Sequence, residues 1–293
     1  MSATLPVTII VPTIGRPELL AACLVSLAAC EPRADEVVVV DQSGGDAVRS
    51  VVETYASAGV RVLTLHVLNK SLALNLALEE ARHDHVLMTD DDCTVAPSWV
   101  AAAWSQLERD PEAIVTGRVL AAGDERAVPS TIDEETPREY TGEIHYGALY
   151  GNNMACRASL VLAEDGFDER LTVAEDNDLC YRWLRSGRPL RYEPELLVWH
   201  HAWRSEGELN RLYRRYAQGQ GLFYAKHLRA GDLRVVPFIG RDLYRGARGI
   251  AARAVRRRRW PDPRTGLLSG LVAGLVQGWR TFGPRAKSDA GGS

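Results

Sequence analysis

Apolar and polar positions along the first part of the chain predict strands that alternate with helices. Continuous apolar, β-branched runs at 7–13 and 36–40 are typical of strands that are buried on both faces. Leucines recur at helical spacing after Pro17, and a proline suits the first turn of a helix. This alternation predicts an α/β fold with a doubly wound, mostly parallel sheet.

The same pattern continues to about residue 122. The remaining predicted strands are 60–67, 85–90 and 113–122, and the remaining predicted helices are 46–58, 71–83 (with Ser71 as its N-cap) and 96–110. In doubly wound sheets, ligands bind beyond the carboxyl ends of the strands, where the strand order reverses. With the common order 3-2-1-4, the first and fourth strands are neighbours at that point.

Polar side chains follow three of the predicted strands at their carboxyl ends. These residues are Thr13, Arg16, Asp41, Asp90, Asp91 and Asp92. Asp90 and Asp92 would point the same way if the strand continues, because side chains alternate along a strand. Paired carboxylates suit a hard divalent cation such as Mg²⁺ or Mn²⁺. Taken alone, the acidic run is as typical of a helix entry or a solvated turn.

Beyond residue 124 the regular alternation ends. Residues 123–147 are polar and irregular, as in a loop over a site. A helical pattern at 174–187 and a strand pattern at 188–201 follow, and the chain from about residue 206 is helical in pattern. The predicted divisions are a first domain at 1–205 with halves 1–123 and 124–205, a basic helical extension at 206–286 and a disordered tail at 287–293.

The composition is that of an ordinary soluble protein. Of the 293 residues, 46% are hydrophobic and 25% are charged, which leaves enough apolar chain for a large core. The five cysteines are odd in number and lack zinc-ligand spacing, so we expect free thiols in a reducing cytosol. We expect no signal peptide and no membrane span, because the N-terminus lacks a basic and apolar leader pattern and no apolar run is long enough.

The charge is divided unevenly along the chain. Residues 211–287 hold 18 Lys and Arg against 3 Asp, whereas residues 1–210 hold 17 Lys and Arg against 34 Asp and Glu. The basic segment also carries apolar helix faces, a combination that suits an anionic membrane surface better than nucleic acid. We therefore expect a cytoplasmic protein that attaches peripherally to the inner face of the membrane. The alternatives are a helical appendage packed on the first domain and a homodimer interface.

Six segments occur in the order and spacing of a known enzyme family. They are TIIVPTIGRPELLAACLVSL, VVVVDQS, LMTDDDC, GNNMACRASL, AEDNDLCYRWLRSG and YEPELLVWHH. Together they resemble bacterial family-2 glycosyltransferases of the GT-A fold, over about residues 6–204. The resemblance implies an inverting enzyme with a nucleotide-sugar donor and Mn²⁺ or Mg²⁺ as its cofactor. The acceptor would be a hydroxyl of a saccharide, a lipid-linked molecule or a small molecule.

The resemblance also implies roles for individual residues. On the donor side it implies Thr13 and Arg16 beside the nucleotide, Asp41 on the base (uracil or thymine), Asp90 on the ribose, and Asn75 and Asp91 near them. Asp90 and Asp92 form the D-x-D motif, with Asp92 as a metal ligand and His200 completing the metal shell. Asp176 matches the general base. The acceptor-side residues are Asn152, Asn153, Glu175 and Trp199.

The chain departs from the family pattern at several positions. Gln42 replaces the usual second acid after Asp41, and Leu74 replaces a basic residue, so Lys70 or Arg16 would contact the phosphates instead. His201 adjoins His200, which leaves open which imidazole reaches the metal. We expect Asp91 to face away from its neighbours and support the turn.

Other interpretations of these residues stay open. Glu175 and Asp176 could merely complement a helix dipole, and Trp199 could be a core or pocket-wall residue. A sugar-1-phosphate nucleotidyltransferase would share the sheet and the acids, but "PTIGRPE" lacks its glycine-rich phosphate loop. A non-catalytic scaffold with a nucleotide fold at the membrane is the third interpretation.

Overall fold

The computed structural model describes residues 3–142, 147–256 and 263–283. The chain divides into two compact units. The first unit is Met1–Glu169 with Glu175–Arg204, and the second is Arg170–Ala174 with Ser205–Ser293. The predicted domain boundary after residue 205 falls one residue from this division. The predicted disordered tail at 287–293 lies outside the described residues.

A nine-stranded sheet runs through the described part of the first unit. Its strands are β1 Thr4–Thr13, β2 Arg33–Asp41, β3 Val60–Thr64, β4 His85–Met88, β5 Cys93–Val95, β6 Ile114–Ala122, β7 Arg138–Tyr140, β8 Met154–Arg157 and β9 Leu190–His201. Their order is β3-β2-β1-β4-β8-β6-β9-β5, with β7 beside β9. The first four strands are parallel and confirm the predicted 3-2-1-4 order.

Helices cover both faces of this sheet, and further helices make up most of the second unit. Those of the first unit are α1 Pro17–Ala28, α2 Asp46–Glu53, α3 Lys70–Glu80, α4 Trp99–Arg109, α5 Ala158–Ala163 and α6 Glu175–Arg185. Those of the second are α7 Glu206–Arg229, α8 Val236–Arg256 and α9 Pro263–Thr281. The predicted α/β fold class with a helical C-terminal region is confirmed.

Two apolar layers hold the central strands in place. Along β1, Ile9 and Val11 pack into one layer, which α1 and α4 cover, and Ile10 packs into the other, which α3 and α6 cover. Alternation along a strand sends successive side chains to opposite layers. Because both faces are buried, the register of β1 against β2 and β4 is fixed, and so are the positions of the strand ends.

Two local expectations are wrong. Asn69, not Ser71, caps α3: its side chain accepts a hydrogen bond from the backbone N of Leu72 at 3.2 Å, and Ser71 is buried in the first turn. The fourth strand ends at Met88, so Asp91 and Asp92 lie in a turn before β5. The expectation that Asp90 and Asp92 project from one continuing strand therefore fails.

The second unit depends on close packing between α7 and α9. A Cβ atom on Gly274 would overlap the carbonyl oxygen of Gln218, and one on Gly278 would lie 2.6 Å from the Cβ of Ala225. Glycine every four residues on α9 thus lets the two helix backbones approach. Ser205 and Glu208 form a capping box at the start of α7.

Crossing a bilayer requires helices of about 20 consecutive, mostly apolar residues. Within the described ranges, no helix combines the length and the apolar character needed to cross a bilayer.

Candidate active site

Asp91 is the innermost acid of the triplet and supports the turn. Its carboxylate is fully buried, accepts a hydrogen bond from Thr13 Oγ1 at 2.5 Å, and forms an ion pair with Arg16. Burial raises the pKa of Asp91 to about 6, against the opposing effects of Arg16 and Thr13. The same Arg16 guanidinium also donates to Asp92, and the expectation that Asp91 faces away from its neighbours stays a prediction. The contacts of Asp91 tie the end of β1 to the turn after β4.

Asp92 is surrounded by donors from distant parts of the chain. Its Oδ2 accepts hydrogen bonds from Arg16 Nη1 at 3.0 Å, Trp203 Nε1 at 2.8 Å and Arg204 Nη2 at 3.0 Å. Burial alone would raise the pKa of Asp92, but the side chain of His200 and the two guanidinium groups hold it well below its ordinary range. Asp92 is therefore ionised at neutral pH, and one of its oxygens is fully engaged.

The other oxygen of Asp92 faces His200. His200 Nε2 lies 3.5 Å from Asp92 Oδ1, and His200 Nδ1 lies 3.5 Å from the side-chain nitrogen of Asn152. Within the described ranges, His200 Nε2 is buried without a hydrogen-bond partner. His201 belongs to the opposite face of β9, where its ring contacts Thr94 Oγ1 at 3.0 Å. The structure therefore brings the imidazole of His200, and not that of His201, to the carboxylate of Asp92.

These atoms are suited to a divalent cation. A carboxylate oxygen and an unpartnered imidazole nitrogen are donors that Mn²⁺ accepts. Cys93 Sγ lies in the same cluster. Burial and the charges of Asp92 and Asp90 raise the pKa of the Cys93 thiol, so it is protonated at neutral pH. Asp92 Oδ1 and His200 Nε2 are the atoms that would hold a metal ion.

Lys70 lies between Asp90, in the aspartate triplet, and Glu175, at the start of α6. Its Nζ lies 2.8 Å from Asp90 Oδ1 and 3.7 Å from Glu175 Oε1. Burial alone would lower the pKa of Lys70, but these carboxylates raise it above its ordinary value, so the ammonium group is charged. Burial raises the pKa of Glu175 to about 7, although Lys70 opposes this. Lys70 thus links the turn after β4 to the start of α6.

Asp176 lies at the same helix start and is more exposed than Glu175. Its Oδ1 accepts a hydrogen bond from the backbone N of Asn177 at 2.8 Å, and its Oδ2 accepts one from the backbone N of Gly151 at 3.3 Å. A Cβ on Gly151 would lie 3.6 Å from Asp176 Oδ2 and 3.8 Å from Lys70 Nζ. Burial raises the pKa of Asp176, against the charge of Lys70. Asp176 is thus a carboxyl group with a raised pKa beside Lys70.

Asp41 is the last residue of β2, and Gln42 follows it. Asp41 Oδ1 accepts hydrogen bonds from the backbone N of Ser43 at 2.8 Å and from Ser43 Oγ at 2.6 Å. Gln42 Oε1 accepts one from the backbone N of Asn69 at 2.8 Å. Gln42 therefore orders the entry to α3, which carries Lys70. The role of Asp41 toward a base stays a prediction.

Three of the predicted site residues, Asn153, Asn75 and Trp199, make structural contacts and do not join the groups of acids around Asp92 and Lys70. Asn153 is fully buried: its Oδ1 accepts from Trp99 Nε1 at 2.9 Å, and its Nδ2 donates to the carbonyl oxygens of Leu196 at 2.6 Å and Arg118 at 3.0 Å. These three bonds are all to protein groups, and the acceptor-side role of Asn153 stays a prediction. Its hydrogen bonds lock β8 to β6, β9 and α4.

Asn75 and Trp199 also lie apart from the acids. Both ends of the Asn75 amide bond the main chain of Phe167, at 2.8 and 2.9 Å, so its contacts are structural. Trp199 alternates with His200 along β9 and therefore faces the other side of the sheet, and its acceptor-side role stays a prediction. Donor binding by Asn75 remains a prediction.

Sequence reasoning missed Trp203 and Arg204. They follow β9 in a segment without regular structure, and the guanidinium groups of Arg16 and Arg204 lie 4.8 and 4.3 Å from the centre of the Trp203 ring. No local periodicity marks such residues, because their partner Asp92 is more than 110 positions away. An arginine next to a tryptophan just after the strand-end histidines was the available signal.

The chain belongs to the family described as Glycosyl transferase family 2, whose profile matches residues 8–160. The pre-mycofactocin glycosyltransferase of Mycobacterium tuberculosis is 29% identical over 205 residues, which is 66% of this chain and 42% of that protein. The amylovoran biosynthesis glycosyltransferase AmsE of Erwinia amylovora is 28% identical over 193 residues, which is 62% of this chain and 70% of that protein. The chain therefore spans less than half of the first relative.

Solved structures show the same fold. The mannosyltransferase PcManGT of Pyrobaculum calidifontis, solved with GDP-Man and Mn²⁺, matches with a TM-score of 0.64 at 20% identity, over 94% of this chain and 87% of that one. The S. aureus protein TarS 1-349, solved with UDP-GlcNAc, matches with a TM-score of 0.58 at 20% identity, over 76% and 72%. The predicted family resemblance is confirmed, and these findings do not favour the nucleotidyltransferase alternative.

Proposed function

We propose that the protein transfers a sugar from a nucleotide-diphosphate sugar, with a UDP- or dTDP-sugar favoured, to a hydroxyl group, with inversion. One observation supports this most strongly. Lys70 contacts both Asp90 at the strand ends and Glu175 at the start of α6. The donor-side acids and the predicted base, which adjoins Glu175, therefore belong to one site. An inverting transfer needs these two groups close together, because attack and departure occur on opposite faces of one carbon.

Asp176 is the residue we assign as general base. An acceptor hydroxyl is a poor nucleophile, and a carboxylate that takes its proton as it attacks is typically worth about 10²–10⁴-fold in rate. Burial raises the pKa of Asp176, which makes its carboxylate a better proton acceptor than an ordinary aspartate. Its hydrogen bonds to the backbone of Gly151 and Asn177 fix its direction. We keep residues 124–205, and Asn152 and Glu175 among them, as the acceptor side.

On the donor side, we assign Thr13, Arg16 and Asp41 to the nucleotide, Asp90 to the ribose, and Asp91 to support of the turn. The exposed fraction of the Arg16 side chain is 20%, and its guanidinium nitrogens already donate to Asp91 and Asp92. Lys70 is partly exposed beside Asp90 and can neutralise phosphate charge. These cations would stabilise the negative charge that develops on the leaving nucleoside diphosphate.

We assign Asp92 and His200 as the residues that hold a divalent cation, Mn²⁺ or Mg²⁺. The buried, unpartnered Nε2 of His200 supports this assignment. A bound cation supplies Lewis-acid stabilisation of the departing diphosphate. Electron paramagnetic resonance of free Mn²⁺ in the presence of UDP tests the assignment without any turnover. His200→Ala should lose Mn²⁺ binding, whereas the adjacent His201→Ala should keep it; equal binding by both variants would remove His200 from the metal shell.

The names of two relatives bear on the acceptor and on the pathway. One relative is named for pre-mycofactocin and another for amylovoran biosynthesis. We propose transfer to a saccharide, lipid-linked or small-molecule hydroxyl, in the biosynthesis of cell-surface glycan, glycolipid or secondary metabolite. The names of the relatives support a biosynthetic role.

Nucleotide release from a panel of UDP-, dTDP- and GDP-sugars with Mn²⁺ or Mg²⁺ tests the proposed reaction. The wild-type protein should release nucleoside diphosphate from one donor class. Asp176→Asn should lower turnover by about 10²-fold or more while donor affinity, measured by calorimetry, stays within about twofold. Full transfer by Asp176→Asn would overturn the choice of base. Release from no donor would favour a scaffold.

A further inference from the structure

The second unit exposes a run of arginines whose charge is only partly balanced. The acids that the structure describes between residues 211 and 283 are Asp232 and Asp242, and both are buried. Asp242 accepts a hydrogen bond from Tyr224 Oη at 2.6 Å, which ties α8 to α7. Arg234, Arg245 and Arg248 are exposed. The described surface of this stretch is therefore positive.

Apolar side chains lie among these arginines. The exposed fractions are 70% for Leu233, 49% for Val236 and 62% for Tyr244. Arg248 lies four residues after Tyr244 and three after Arg245, so its side chain neighbours both of them on the surface of α8. The opposite side of α8, with Asp242 and Gly246, is buried. We call the set Leu233, Arg234, Val236, Tyr244, Arg245 and Arg248 the basic face.

Helix α9 of the same unit repeats this combination. Its glycines pack on α7, whereas Val272, Val276 and Trp279, spaced at helical intervals, are about half exposed. The guanidinium of Arg229 lies 4.8 Å from the centre of the Trp279 ring. Large apolar side chains beside arginines thus recur on two helices, although water disfavours such exposure.

We propose that the basic face docks on a bilayer that contains anionic lipids. Arginines would meet the phosphate headgroups, and Leu233, Val236 and Tyr244 would enter the boundary between headgroups and acyl chains. A second copy of this chain is a poorer partner, because a two-fold contact would place arginine against arginine. Nucleic acid would satisfy the arginines but would leave the aliphatic side chains without an apolar partner.

The test is flotation of the full chain with vesicles of phosphatidylcholine alone or mixed with phosphatidylglycerol. We expect binding to the mixed vesicles at low ionic strength and little binding to the neutral ones. Arg245→Gln/Arg248→Gln should lower the partition coefficient about thirtyfold. Val236→Ser/Tyr244→Ser should weaken the binding that remains at higher ionic strength, where the electrostatic attraction is screened.

A matched control removes the same charge from the first unit. Arg82 and Arg138 have exposed side-chain fractions of 61% and 53%, and Arg82→Gln/Arg138→Gln should leave vesicle binding unchanged. Nucleotide release from soluble donors should be equal in all these variants, which separates this proposal from the proposed reaction. Any of three results would overturn the proposal. They are no binding to anionic vesicles, equal loss of vesicle binding in the two arginine double variants, and tighter binding to duplex DNA than to vesicles at equal phosphate concentration.

Discussion

At the scale of single residues, the three consecutive aspartates have three different environments. Asp91 is buried against Thr13 and Arg16, Asp92 lies among Arg16, Arg204 and Trp203, and Asp90 contacts Lys70. Mutual repulsion among like charges is thus offset by nearby cations and donors: Asp91 and Asp92 share Arg16, and Lys70 lies beside Asp90. The turn after β4 makes this separation, since a continuing strand would have put Asp90 and Asp92 on one side.

Lys70 should set the acid limb of the pH profile through its effect on Asp176. The base must be ionised to act, so kcat/KM should rise with pH as Asp176 loses its proton. The charge of Lys70 opposes the raised pKa of Asp176. Lys70→Met should therefore move the acid limb to higher pH and lower kcat/KM at pH 6 about tenfold, because a nearby opposite charge is worth about one pH unit or more.

Lys70→Arg serves as the control, because it keeps the charge and should keep the acid limb near its wild-type position. The profile of kcat/KM against pH separates this electrostatic effect from a general loss of donor binding. A uniform decrease of kcat/KM at every pH in Lys70→Met would show that Lys70 does not influence the base.

At the scale of elements, the sequence pattern predicted what is buried and repetitive. Strands β1 and β2 read as continuous apolar runs because both of their faces are covered. Strand β8 was not predicted: it has only four residues, pairs antiparallel with β4 and β6, and shows no alternation of its own. Its position depends on Asn153, whose partners come from three other elements, and pairing between distant segments has no local signature.

Close packing between α7 and α9 should make the fold sensitive to an added side chain at Gly274. Gly274→Ala would place a Cβ against the carbonyl of Gln218, so it should lower the free energy of unfolding by about 1–3 kcal/mol. Gly240→Ala, in α8, meets no atom within 4 Å and should raise it by about 0.5–1 kcal/mol through helix propensity. Urea denaturation followed by circular dichroism measures both changes, and equal signs would contradict the packing argument.

At the scale of the whole molecule, the net charge does not show how unevenly the charges are distributed along the chain. The formal net charge is −3 and the isoelectric point is about 6.2, values that suggest a nearly neutral protein. The sequence nevertheless predicted an acidic body and a basic C-terminal segment, and the structure places the described acids of that segment in buried positions. The arginine cluster at 256–259 that contributed to this prediction lies mostly outside the described residues.

Cation-exchange chromatography at neutral pH measures whether this basic surface is available. Despite its net negative charge, the protein should be retained on a sulfonate resin at low ionic strength, because the resin responds to local charge. It should elute as the ionic strength passes about 0.1 M, where the Debye length falls to about 10 Å. Replacing Arg234, Arg245 and Arg248 by glutamine should give earlier elution. The same change at Arg82, Arg138 and Arg157 should not alter the elution. Elution of the wild-type protein in the flow-through would contradict the prediction that the basic surface is available to the resin.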